Sequence, residues 1–160
     1  MGDNDYLDGD RLAHDAKDAV VRFWSTLHAA TYRITEGRVL HLVLGMRVVQ
    51  LTTTGRRTHA PRTTMLTAPI VERRRIVLVA SNAGDDRDPQ WYNNVLACPT
   101  VSVELDGAIR AMRARVASAA ERSELWRRIR TVTPIYDLYQ NRTIRQLPVV
   151  VLEPTSESDV

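Results

Sequence analysis

Three arginines lie close together around a glycine, and their side chains suit the binding of an anion. The segment TGRRT at positions 54–58 contains Gly55, Arg56 and Arg57, and Arg62 follows shortly after it. A glycine lets the backbone turn tightly with its N–H groups pointing outward, and guanidinium groups bind phosphate or carboxylate through paired hydrogen bonds. The spacing therefore predicts an anion pocket at this turn.

A second group of polar and aromatic residues follows an apolar segment. Ser81 and Asn82 come directly after the run IVLVA, at a predicted strand end, where sheets commonly present polar groups to a ligand. Trp91 and Tyr92 begin the next predicted helix and could form the wall of a site for an aromatic ring. For Trp91, a place in the core is an equally good interpretation.

Sequence patterns of several common enzyme classes are absent. The chain has no GxSxG, Walker, GxGxxG or HExxH pattern, which leaves the usual hydrolases, nucleotide hydrolases, dinucleotide enzymes and zinc proteases without support. Its four histidines lack the i, i+4 spacing of metal ligands, and the single Cys98 has no second thiol for a disulfide or metal site. The acidic loop at 85–88 lacks the glycine and glutamate of a calcium loop. We expect no metal.

Composition and charge indicate one ordinary globular domain. The chain has 160 residues, of which 44% are apolar and 26% charged. Its net charge of +3 conceals an uneven distribution, since six aspartates lie within residues 1–18 and six arginines within residues 54–75. The longest apolar run, at 39–46, falls far short of the roughly 20 residues that span a bilayer, and the acidic start does not resemble a secretory signal. We therefore expect a cytoplasmic protein.

The first part of the chain has the pattern of a long amphipathic helix. Apolar residues recur at three- and four-residue steps from Leu12 to Ile34, between a capping residue, Asp10, and a terminating glycine, Gly37. We expect this helix to pack on the rest of the chain. Subunit pairing and weak contact with the inner membrane surface are alternatives, although the acidic start disfavours anionic lipid. The predicted divisions are this segment at 1–38, a barrel domain at 39–154 and a frayed tail at 155–160.

From Arg47 onward, β-branched residues and turn signals predict an antiparallel sheet. Asp106-Gly107 is typical of a two-residue hairpin turn, and Ser118 with Glu121 forms a capping box before a helix that runs to about Thr131. Another short helix is predicted at QWYNNVLA. Pro61 and Pro69 must lie at strand starts, edges or bulges. Six strands are predicted, in RVVQLTTT, TTMLTAPIV, IVLVAS, TVSVEL, AIRAMRARV and LPVVVL. The irregular order of strands and helices favours an α+β barrel over a doubly wound sheet.

Three segments together resemble the deazaflavin-dependent nitroreductase family, whose members bind coenzyme F420. The similarity runs from Val48 to Pro154, and its segments are LTTTGRRTHAPRTT, VLVASNAGDDRDPQWYNNVLACP and YDLYQNRTIRQLPVVVLEP. The resemblance implies the FMN-binding split β-barrel, a fold of the same broad class as pyridoxamine-phosphate oxidases. It implies mostly antiparallel strands with flanking helices.

The resemblance also implies roles for individual residues. Arg56, Arg57 and Arg62 match the residues that hold the phosphate and the polyglutamate tail of the cofactor, in agreement with the anion pocket inferred from charge. The other matches to cofactor contacts are Thr63, Thr64, Met65, Val79, Ala80, Ser81, Asn82, Arg87 and Trp91. Tyr136 and Tyr139 match the substrate pocket. We expect one of these two tyrosines, or Ser81, to act as a catalytic hydrogen-bond donor to the oxygen of the acceptor.

The expected function is hydride transfer between reduced F420 and a small organic acceptor such as a quinone, an enone or a nitroaromatic compound. One alternative is an FMN-dependent split-barrel oxidoreductase, and another is a barrel that binds F420 or a different small ligand without turnover. Nucleic acid is not an expected partner, because aromatic residues make up 6% of the chain and are not interleaved with the arginines. Monomer and homodimer both remain open.

Overall fold

The computed structural model describes residues 46–155. The predicted N-terminal helix, the acidic residues before it and the end of the tail lie outside the described residues. The divisions predicted at 1–38 and 155–160 therefore stay predictions.

One curled antiparallel sheet forms the frame of the described chain. Its strands are β1 (Arg47–Thr54), β2 (Pro61–Ala68), β3 (Ile70–Val71), β4 (Ile76–Val79), β5 (Thr100–Leu105), β6 (Ala108–Val116) and β7 (Val149–Pro154). The spatial order is β2-β1-β5-β6-β7-β4-β3, and every neighbouring pair is antiparallel. Because β2 also approaches β4, the sheet curls round toward closure as a split barrel.

The prediction of six strands is wrong by one, because the segment TTMLTAPIV forms two strands. Pro69 separates them: it has no backbone N–H to donate to a sheet ladder. The chain pairs with β1 before this proline and with β4 after it, through Ile70 and Val71. The expectation for the two prolines is confirmed, since Pro61 is the first residue of β2 and Pro69 lies at the break.

Within residues 46–155, three helices accompany the sheet: α1 (Gln90–Ala97), α2 (Ala119–Val132) and α3 (Ile135–Gln140), with a short 3-10 turn at Asn82–Gly84. Ser118 caps α2 as predicted, its hydroxyl oxygen accepting a hydrogen bond from the Glu121 N–H at 3.3 Å. The hairpin turn is also confirmed, because Asp106 and Gly107 both have the positive φ that a two-residue turn needs.

Two apolar cores lie on opposite faces of the sheet. The inner core fills the barrel and is covered by α1 with Trp91 and Val95, whereas the outer core lies under α2 and α3. Strand β7 contributes to both cores: Val150 and Leu152 face inward, Val149 and Val151 face outward, and all four are fully buried. The unbroken apolar run of LPVVVL therefore forms an interior strand of the sheet that is buried on both faces.

Candidate functional site

The arginine turn connects β1 to β2 and is closed by its own backbone. The Gly55 N–H donates to the Ala60 carbonyl at 2.8 Å, and the His59 N–H donates to the Gly55 carbonyl at 2.8 Å. A Cβ atom on Gly55 would lie 2.9 Å from Thr58 Oγ1 and 3.1 Å from the Ala60 oxygen. A side chain at this position would therefore force Thr58 and the Ala60 carbonyl to shift, and Arg56, Arg57 and Arg62 line one cavity beside the turn.

Helix α1 holds the turn through one buried amide. Asn94 is 5% exposed; its Nδ2 donates to Thr53 Oγ1 at 3.0 Å, and its Oδ1 accepts from the Arg56 N–H at 3.1 Å. We did not predict this residue as part of the site. A signal was present, because Asn94 falls three residues after Trp91 and one before Val95, on the apolar face of a predicted helix, where a polar side chain needs a partner.

A cavity of about 600 Å³ opens between this turn and α1. Six of the predicted cofactor residues line it, namely Arg56, Arg57, Arg62, Thr63, Thr64 and Trp91. Gln90 and Asn94 also line it and were not predicted. Among the lining residues that the structure describes there is no carboxylate, and the charged side chains among them are the three arginines.

The three arginines of the cavity are exposed and have no anionic partner within residues 46–155. Their guanidinium groups form no hydrogen bond or ion pair there, whereas the arginines of β6 and α2 include several that pair with glutamates. Unpaired guanidinium groups around a concave surface attract phosphate and carboxylate. The geometry thus agrees with the anion pocket that the sequence predicts.

Trp91 is both a core residue and part of the cavity wall, the two roles that its sequence position allowed. It is 5% exposed and belongs to the inner core, with its ring in an edge-to-face contact with Tyr92 at 6.2 Å between centroids. Its remaining surface contributes to the wall of the arginine cavity. The side chain is therefore fixed by core packing before any ligand binds.

The other predicted cofactor residues lie outside the lining of this cavity: Met65, Val79, Ala80, Ser81, Asn82 and Arg87. Val79 and Ala80 are buried at the end of β4, and Ser81 and Asn82 are half-buried beyond it. Arg87 is exposed and paired with Asp85, to whose carboxylate its Nε and Nη2 donate at 2.9 and 2.8 Å. These hydrogen bonds hold the pKa of Asp85 at about 2, so Arg87 already has an anionic partner in the protein.

The structure brings the two predicted tyrosines together, with ring centroids 6.2 Å apart. Tyr136 is 3% exposed in the outer core, its hydroxyl lies 3.0 Å from Thr67 Oγ1, and burial raises its pKa to about 12. It is therefore a protonated phenol at neutral pH. Tyr139 is half-buried, and the Arg142 guanidinium lies 5.9 Å from the centre of its ring.

In the part of the chain that the structure describes, no group of three or more histidine, cysteine, aspartate or glutamate side chains could hold a metal ion. None of the helices within that part is both long enough and apolar enough to cross a membrane.

Comparison with known proteins decides the family. A family model described as F420H(2)-dependent quinone reductase matches residues 24–154. An F420H(2)-dependent quinone reductase of Mycobacterium tuberculosis is 37% identical over 130 residues, which cover 79% of this chain and 87% of the relative. The chain belongs to the F420H(2)-dependent quinone reductase family. A shorter match, 36% identical over 85 residues, is to a putative F420H(2)-dependent quinone reductase of the same species.

Solved structures of related proteins agree with this membership. An F420-H2 dependent reductase called FDR-A superposes with a TM-score of 0.60 at 36% identity, covering 66% of this chain and 93% of that chain. A second structure, described as a domain-swapped dimer, has a TM-score of 0.63 at 34% identity and covers 80% of this chain and 97% of that one. The recognition of an F420-dependent family and of its split β-barrel fold is confirmed.

Proposed function

We propose that this member of the family binds F420 and transfers a hydride from the reduced cofactor to a quinone-type acceptor. The observation that supports this most directly is the cavity lined by three arginines that, within residues 46–155, have no anionic partner and no carboxylate beside them. Membership in a family named for F420H(2)-dependent quinone reduction gives the activity its chemical class. Enones and nitroaromatic compounds remain further candidates for the acceptor.

The residues of the cavity fit an elongated anionic cofactor. Arg56, Arg57 and Arg62 would hold the phosphate and the carboxylates of the tail through charge-assisted hydrogen bonds, and because all three side chains are exposed we expect each to contribute about 1 kcal/mol. Thr63 and Thr64 also line the cavity, and the Thr63 hydroxyl lies 2.9 Å from Thr52 Oγ1. When bound, reduced F420 supplies the hydride, and the protein supplies binding, orientation and exclusion of water.

Ser81, Tyr136 and Tyr139 are the candidates for a contact with the hydride acceptor. A hydroxyl that donates to the acceptor oxygen would stabilise the negative charge that develops there. Ser81 and Tyr139 are half-buried, whereas Tyr136 already has Thr67 as a partner. Replacing each tyrosine by phenylalanine and Ser81 by alanine tests them individually, and a variant with unchanged turnover removes that residue from the mechanism.

The experiment that tests the proposal is a fluorescence titration with F420, with its deazaflavin chromophore lacking phosphate and tail, and with FMN. We expect the wild-type protein to prefer F420. Replacing Arg56, Arg57 and Arg62 together by alanine should weaken F420 binding by about 100-fold, which corresponds to about 2.7 kcal/mol, and should barely change binding of the tail-free chromophore.

The matched control removes three other exposed arginines, Arg73, Arg74 and Arg113, and we expect F420 binding to be unchanged in it. Failure of the wild-type protein to bind F420, or equal affinity in the triple variant, would refute the proposal. Tighter binding of FMN would favour the FMN-dependent alternative. An anaerobic assay with reduced F420 and a quinone separates an enzyme from a barrel that only binds the cofactor.

Oligomeric state and location remain predictions. A related structure is described as a domain-swapped dimer, which supports the homodimer among the two states left open. A cytoplasmic location and contact of the N-terminal segment with a membrane surface are expectations from the sequence. Flotation with liposomes, with and without residues 1–35, tests the membrane contact.

A further inference from the structure

Arg145 is a largely buried arginine at the point where the chain leaves α3 and approaches β7. Its side chain is 15% exposed. A guanidinium group has five N–H donors in a rigid plane, and the structure gives Arg145 five hydrogen bonds to the segment that follows β4. Every donor of this side chain can therefore be assigned to that one segment.

Four of the five bonds go to backbone carbonyl groups. Nε donates to the Asp85 oxygen at 2.8 Å, Nη1 and Nη2 both donate to the Ala80 oxygen at 3.1 Å, and Nη2 donates to the Ser81 oxygen at 2.8 Å. The fifth bond joins Nη1 to Asp88 Oδ1 at 2.8 Å and provides the charge partner. Because the carbonyls of Ala80 and Ser81 are held on the side of the guanidinium, the orientation of these peptide groups is fixed.

The segment that Arg145 holds has an uncommon backbone. Three consecutive residues after Ser81 have positive φ, namely Asn82 at 47°, Ala83 at 54° and Gly84 at 84°. Asn82 and Ala83 are not glycine, so this conformation costs free energy that other contacts must offset. The segment also packs tightly against α3, because a Cβ on Gly84 would lie 2.8 Å from the Tyr139 oxygen.

We infer that Arg145 is a positioning residue for hydride transfer: through the carbonyls of Ala80 and Ser81 it fixes the strand end that is expected to contact the deazaflavin ring. This inference rests on the proposed function. The tail of the cofactor would be held by the arginine cavity, whose lining does not include Arg145 or the strand end. Loss of Arg145 should therefore disturb the orientation of the ring far more than the affinity for the cofactor.

The variant Arg145→Lys tests this separation while keeping the positive charge. Lysine places its donors at a single point and cannot reproduce a planar fork that contacts three carbonyls and one carboxylate. The matched control is Arg127→Lys, because Arg127 lies on the exposed face of α2 and pairs with Glu124.

Three measurements on wild type and both variants are needed: amide hydrogen exchange of residues 80–88 without cofactor, F420 affinity by fluorescence, and steady-state kinetics with reduced F420. For Arg145→Lys we expect exchange at residues 80–88 to be about tenfold faster and kcat about tenfold lower, with the Kd for F420 within about threefold of wild type. The control should match the wild type in all three.

The outcomes separate this inference from the proposed function. Unchanged kcat in Arg145→Lys would overturn it, even if exchange were faster, because the arginine would then be merely structural. A raised Kd with unchanged kcat would also overturn it. If Arg145→Lys does not fold, Asp88→Asn removes the charged partner alone. For this variant we expect a smaller decrease in kcat, again with the Kd for F420 close to that of the wild type. A wild-type protein that does not bind F420 would refute the proposed function and this inference together.

Discussion

At the scale of single residues, the amide of Asn94 connects a helix to the turn that carries the arginines. Both ends of the amide are used inside the protein, on Thr53 and on the N–H of Arg56. A buried polar group that loses its partner costs about 1 to 3 kcal/mol, because it has given up hydration without a replacement. Asn94 therefore contributes to stability and, through the turn, to the shape of the anion pocket.

Replacing Asn94 by alanine should lower the free energy of unfolding by about 1 to 3 kcal/mol, because the two partners in the turn lose their hydrogen bonds. We also expect F420 to bind about tenfold more weakly, since the arginines would no longer be held in one arrangement. Urea denaturation and fluorescence titration measure the two effects. The neighbouring Asn93 makes one long bond to Pro89, at 3.4 Å, and Asn93→Ala serves as the control. Equal losses in both variants would contradict a special role for Asn94.

At the scale of elements, the sequence predicted what depends on local signals. The hairpin at Asp106-Gly107 and the start of α2 at Ser118 are each determined by a few neighbouring residues, and both are where we predicted them. The strand count was wrong at Pro69: the proline interrupts the ladder, and the change of pairing partner from β1 to β4 that follows it depends on residues far away in the chain. Local sequence signals thus predict where individual helices and strands lie, whereas the order of strands in the sheet depends on contacts between distant residues.

The contribution of the α2 N-cap to the free energy of unfolding can be measured directly. Ser118→Ala removes the acceptor for the Glu121 N–H and should destabilise the protein by about 0.5 to 2 kcal/mol. Ser123 lies within the same helix, where its hydroxyl donates to the Ala119 carbonyl at 3.0 Å. Because alanine favours helix interiors, Ser123→Ala should leave stability within about 0.5 kcal/mol of wild type. Chemical denaturation compares the two, and a loss of the same size at Ser123 would show that the cap is not the cause.

At the scale of the whole molecule, the site depends on contacts between residues far apart in sequence. The arginine turn could be predicted because its residues are neighbours in the chain. Arg145 lies 65 residues from Ala80, and Asn94 lies 38 residues from Arg56, so the local sequence could mark Asn94 as a residue that needs a partner but could identify neither partner. The barrel brings these pairs together, and the residues that position the site are the ones the sequence analysis did not assign.

The last prediction concerns the cooperativity of unfolding. We expect strand β7 to couple the two cores, because its side chains alternate between them. Val150→Ala removes volume from the inner core and Val151→Ala from the outer core, and each should cost about 1 to 3 kcal/mol. Since one strand carries both cores, we expect a single unfolding transition with an unchanged denaturant dependence in each variant. Val116 of β6 is 41% exposed and pairs with Val150 of β7, so Val116→Ala is the control and should cost much less. Two separate transitions in either core variant would show that the cores fold independently and that β7 does not couple them.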